Sequence, residues 1–165
     1  MAELTQLESK IGEVLGLAMA SQAATKKVEA MLDGDDNHAL GEKLSQMHDE
    51  AAQTEQRCTG LASEFEGKKT AILEQARETK HEASSMMDTY LGEDPDALDG
   101  FEFLTMAEAG EVGHWSIVKK LNEQVQNPAV DELVTWALPI QQRHYQTALD
   151  GSLALAGDID ANETE

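Results

Sequence analysis

Two glutamates stand where a helix would be expected to show leucine. From Leu98 to Val125 the inward seam reads Phe101, Leu104, Glu108, Glu111, Trp115, Val118, Asn122, Val125. The steps alternate three and four, so these side chains share one helix face. A carboxylate inside a helix bundle is costly unless something neutralises or ligates it. After a turn at Asn127-Pro128, the next seam reads Val130, Leu133, Ala137, Gln141, His144, Ala148. Glu111 lies sixteen residues before Asn127 and His144 sixteen after Pro128. In an antiparallel hairpin rising ~1.5 Å per residue, equal separations predict that the two meet at one level. By the same count, His114 and Gln141 are each thirteen residues from the turn. Carboxylates and imidazoles converging at mid-bundle are what a buried metal site requires, the glutamates giving anionic oxygen and the histidines nitrogen.

The elements that must position these groups are long and periodic. Helix one is predicted over about Ala2 to Leu32, with the seam Leu4, Leu7, Ile11, Val14, Ala18, Ser21, Thr25, Val28, Leu32 and with Gln22 at its border. The turn residues Asp33-Gly34-Asp35-Asp36-Asn37 end it. They do not make a calcium loop, because the twelfth position from Asp33 is Leu44 where a glutamate is needed. Helix two, about His38 to Phe65, carries Leu40, Leu44, Met47, Ala51, Thr54, Cys58, Leu61 and Phe65, flanked by His48 and Glu55. Helix three, about Thr70 to Leu91, has a weaker stripe of Ile72, Ala76, Thr79, Ala83, Met86 and Tyr90. It reads as half-exposed, an accessory helix or a long crossover, and as the surface on which two copies could pair as a homodimer. Gly92 to Asp96 is the clearest loop. Helices four and five follow, and Pro139 is expected to kink helix five or free a carbonyl near the polar cluster. The bundle is predicted to occupy residues 1–156, and the acidic tail 157–165 to be frayed.

Composition narrows the function classes. At 165 residues the chain is predicted to form one domain with a real core. Aromatics are only 4%, and Ala, Leu, Met and Val carry the hydrophobic content, which favours helices over sheets. A net charge of −20 argues against nucleic acid and against anionic lipid as partners, and chiefly supports solubility. No run approaches the ~18 apolar residues of a membrane span, and Met1-Ala2-Glu3-Leu4 does not open a signal peptide. The lone Cys58 excludes an intramolecular disulfide and fits the cytoplasm. On an apolar seam it reads as an inert thiol. Without a secretion signal the Asn162-Glu163-Thr164 sequon is discounted. Trp115, Trp136, Tyr145 and the dispersed methionines read as packing, while His38 reads as a helix-start residue with no role and His81 as solvated.

Two helical hairpins joined by a long connection, with inward acids and histidines at mid-height, resemble the ferritin-like superfamily. The order of helices is similar to its bacterial stress-associated branch, whose activity is largely undefined. So are His48 with Arg57, Gly67-Lys68-Lys69, and Ala107-Glu108-Ala109-Gly110-Glu111. The resemblance implies an all-α, ferritin-like up-down four-helix bundle with an additional helix, binding iron or manganese and open to oxygen or peroxide chemistry. In that superfamily, one glutamate from each of two helices and an E-x-x-H motif from each of the others hold a metal pair. Glu111-Val112-Gly113-His114 has the spacing, and Gln141-Gln142-Arg143-His144 has it with glutamine in the acid's place. Gln22 stands where helix one would supply a glutamate, opposite His48 on helix two. The implied metal residues are therefore Glu108, Glu111, His114 and His144, with Gln141, Gln22 and His48 shaping the cavity. A single-metal site is an alternative to a pair. So is a degenerate bundle without metal, in which Glu111 and His144 form a buried hydrogen-bonded pair and the protein acts as a structural or protein-interaction module. An adaptor presenting its acidic face to a basic partner has no motif behind it.

Overall fold

Thr5 starts the first helix: its hydroxyl accepts from the Glu8 amide at 3.2 Å, and the Glu8 carboxylate accepts from the Thr5 amide at 2.7 Å. This reciprocal cap satisfies two helix-end amides and moves the start inward from Ala2. The computed structural model describes residues 2–34 and 37–164. Among them are five helices and no strand: α1 (Gln6–Glu29), α2 (His38–Ala62), α3 (Lys69–Leu91), α4 (Ala97–Val125) and α5 (Pro128–Gly157). Asp35 and Asp36 of the expected first turn lie outside the described residues.

Short connections fold α1 with α2 and α4 with α5 into hairpins. α1 then packs on α4 and α2 on α5, so these four helices close a ring around the core. Asp96 caps α4 by accepting from Asp99, while Asn127 caps α5 by accepting from the Ala129 and Val130 amides. The second turn is locked by Asn122, whose side chain accepts from the Asn127 amide at 3.1 Å and donates to the Asn127 carbonyl at 3.0 Å. Gln126 completes it in the left-handed region, φ 57°. α5 runs unbroken through Pro139, which is exposed. No helix among the described residues is long and apolar enough to cross a membrane.

The third helix lies outside the ring, spanning the connection between the hairpins, and is packed more closely than its weak stripe suggests. α3 lies closely along α1, because Gly12 and Gly16 present bare backbone to it. A Cβ at Gly16 would stand 2.4 Å from the Ala76 carbonyl oxygen. The stripe also rotates along α3: Ile72, Ala76 and Thr79 are buried, whereas Met87 and Leu91 turn inward in place of the exposed Met86 and Tyr90. Arg57 on α2 stacks over Trp136 of α5, 4.1 Å from the ring centroid, tying the two hairpins together.

Two hydrophobic clusters form the core. One gathers Leu7, Ile11, Cys58, Trp115, Val118 and Val130; the other gathers Val28, Leu44, Met47, Phe101 and Leu104. A polar layer separates them.

Candidate functional site

That layer is built from facing seams. Ser21 of α1, Glu108 and Glu111 of α4, and Gln141 and His144 of α5 are all buried, Glu108 completely. Glu108 is held on both oxygens: the Ser21 hydroxyl donates to Oε1 at 3.2 Å and the Gln141 amide donates to Oε2. His144 Nδ1 lies 3.7 Å from Glu108 Oε2, and its Nε2 lies 3.1 Å from Glu50 Oε2 of α2. Arg143, next to His144 on α5, reaches the same Glu50 oxygen from the solvent side. The imidazole is therefore bracketed by two carboxylates, one at each ring nitrogen.

Glu111 is one turn further along α4, and it shares the Ser21 hydroxyl with Glu108, which holds that group at 3.2 Å. Burial holds its pKa well above the ordinary 4.5, the negative charge of Glu108 adds to this, and the nearby Ser21 hydroxyl offsets part of it. The same layer silences Cys58. Burial first, then the charges of Glu111 and Glu55, push its thiol far up, so it is a poor nucleophile.

The level of the pairing differs from the count made through the turn. His144 has Glu108 and Glu50 within ion-pair distance, but not Glu111. α4 ends at Val125, leaving Gln126 and Asn127 outside any helix, so sixteen residues of α5 are matched by sixteen counted back from Val125. That reaches position 109, closer to Glu108 than to Glu111. Gln141 accordingly meets Glu108 and not His114. His114 sits at the surface, its Nδ1 bonded to the Gly110 carbonyl at 2.8 Å and its Nε2 3.4 Å from Glu13. Gln22 and His48 do come together, but in a separate outer recess with Glu55 and Lys80. There Gln22 donates to Glu55, and His48 lies 3.3 Å from Asp49.

Of the seven residues read as metal-binding, four share the layer. Glu50 joins them, although the seam did not contain it. It sits on the flank of α2, three residues after Met47 and four before Thr54, and that spacing between two seam residues was the available signal. Among the described residues, no group of three His, Cys, Asp or Glu is placed to hold a metal ion.

A cavity of about 270 Å³ opens from this layer between α1, α3 and α4. Small residues on all three helices, among them Ala20, Ala24, Ala83 and Ala107, leave the space, and Glu108 and Glu111 line its inner end. Comparison with protein families, with characterised proteins and with solved structures finds no match to this chain.

Proposed function

We propose that the buried layer is the cation site of a ferritin-like metal-binding bundle, taking one iron or manganese ion in place of the proton on Glu111. The observation that carries this reading is the bracketing of His144. With Glu50 at Nε2 and Glu108 at Nδ1, and Glu111 one turn away, three acids stand against two basic groups, His144 and Arg143. The ring of two hairpins, with α3 spanning the connection between them, supports the ferritin-like part of the reading.

The donor chemistry fits a single ion. Glu108 and Glu111 supply hard anionic oxygen and His144 supplies Nδ1. Glu50, braced by Arg143, accepts from Nε2–H; a carboxylate in that role fixes the ring and raises its basicity. Gln141 and Ser21 orient Glu108 from either side. Side-chain rotation must draw the three ligands together, with Gln141 yielding its hold on Glu108. The two apolar clusters flank the layer, and the cavity between α1, α3 and α4 gives an ion a way in. Bound iron or manganese would supply one-electron chemistry toward oxygen or peroxide. Gln22, His48 and His114 stay outside the ligand set. The stress-associated role and the cytoplasmic setting follow the resemblance.

A second reading has its own observation. Both oxygens of Glu108 already have donors and both nitrogens of His144 face carboxylates, so the layer can stand as a closed structural network. The bundle would then serve as a structural or interaction module. Elemental analysis of protein purified without chelator or nickel affinity separates the two. The cation reading expects about one ion per chain, loss of it in Glu108→Gln, and a lower Tm after chelation. A metal-free protein whose melt ignores chelator supports the closed network.

A further inference from the structure

The cavity beside the polar layer has a chemistry of its own. Its walls include Leu17, Met87 and Phe103, while Glu82, Glu108 and Glu111 line it and its one basic lining residue, His114, has its Nε2 3.4 Å from Glu13. At its inner end Glu111, only 5% exposed, has only the Ser21 hydroxyl near it, whose one proton goes to Glu108 Oε1 at 3.2 Å. A buried carboxyl left unpartnered at the end of an apolar space is completed by a ligand that brings its own donor. We propose that this cavity binds a small organic ammonium ion, its charged head between Glu108 and Glu111 and its apolar tail against Met87 and Phe103.

Charge selects the head. An anion would meet the negative charge of Glu82 and Glu108, whereas a neutral alcohol forms only an ordinary hydrogen bond. An ammonium group offers three donors to two acidic side chains in a low-dielectric site. Volume selects the tail. About 270 Å³ exceeds a cavity of about 150 Å³ that accepts benzene, so there is room for a ring on a short alkyl chain. The methionines suit such a ligand, since thioethers adapt to irregular apolar shapes. Met86 and Met106, 67% and 52% exposed, stand at the cavity mouth, where the tail enters. The inference does not rest on metal binding, because the ammonium ion takes the place a cation would otherwise take.

The test uses the full chain, stripped of metal, and isothermal titration with 4-phenylbutylamine, 4-phenylbutanol and 4-phenylbutyrate. The amine should bind about ten-fold or more tightly than the alcohol, and the acid should not bind. Glu111→Gln should weaken the amine about ten-fold and leave the alcohol unchanged. Ala83→Phe, which fills the cavity from α3, should remove both. Equal affinity for amine and alcohol in the unaltered protein overturns the proposal, as does no binding of the amine or amine binding that survives Glu111→Gln. Protein that binds the amine but no metal sinks the cation reading alone, and the reverse result sinks only this one.

Discussion

Glu111 links the chemistry of the layer to the stability of the bundle. Its folded pKa is raised above 4.5, first by burial and then by Glu108, so between those two values the native state binds a proton that the unfolded chain has released. Stability from this group is full below its unfolded value and falls as pH rises through the folded one. The neighbouring titratable groups are Glu108 and His114 on α4, Glu82 on α3, Glu50, Glu55 and Cys58 on α2, and His144 on α5. Comparing the protein with Glu111→Gln largely cancels their contributions. Urea unfolding across the range above pH 4.5 should show metal-free native protein losing stability relative to Glu111→Gln. Parallel curves would remove the account of Glu111 as a buried proton holder. His144→Ala should be costlier at neutral pH, by about 3–5 kcal/mol, because it leaves Glu108 and Glu50 without the group between them. Midpoints in the same titration check this, and a loss below about 1 kcal/mol, the range of exposed pairs, would mean the bracket is only a surface contact. The glutamates, Gln141 and His144 were legible in the sequence because each interrupts an apolar seam at helical spacing. Glu50 was not, since a flanking glutamate on an amphipathic helix is ordinarily solvated, and only the partner helix reveals that it turns inward.

At the scale of elements, α1 serves two partners at once. One face carries Leu7, Ile11, Val14, Ala18 and Ser21 into the ring, while Gly12 and Gly16 let the α3 backbone approach on another. Substitution at Gly16 must displace one helix, as the new Cβ meets a backbone carbonyl oxygen and not a yielding side chain. Helix propensity alone favours alanine over glycine by about 1 kcal/mol, so Gly16→Ala would stabilise an exposed helix. Here overpacking should win, with a net destabilisation of about 1–3 kcal/mol and a lower Tm. A melt at or above that of the unaltered protein would show that α3 rides loosely on α1. Seams and turn residues made all five helices legible, with ends displaced by a few residues where caps such as Thr5 decide them. The closeness of α3 to α1 was hidden because glycine adds nothing to an apolar stripe, and close backbone contact has no hydrophobic signature. The level of the α4–α5 pairing was hidden for a related reason. Asn127-Pro128 marked the turn, but not that Gln126 would also leave the helix.

Over the whole molecule the charge of −20 makes two effects of cations overlap, and they must be told apart. An acidic surface repels itself, and any salt relieves that repulsion by shortening the Debye length, from ~30 Å at 0.01 M to ~8 Å at physiological strength. Sodium chloride should therefore raise Tm gradually, with no saturation tied to protein concentration. The buried layer is different. Glu108 and Glu111 lie beneath the surface, where screening is weak, and occupation by an ion is governed by affinity. At fixed physiological salt, micromolar manganese should raise the Tm of metal-stripped protein and level off, while magnesium should do less because His144 is a poor ligand for it. Glu108→Gln and Glu111→Gln should abolish the saturable part and preserve the response to sodium chloride, because each changes the net −20 by at most one charge. If manganese and magnesium act alike, and both variants respond as the unaltered chain does, the divalent effect is surface screening. The layer is then the closed hydrogen-bonded network in which Glu50 and Glu108 hold His144 between them.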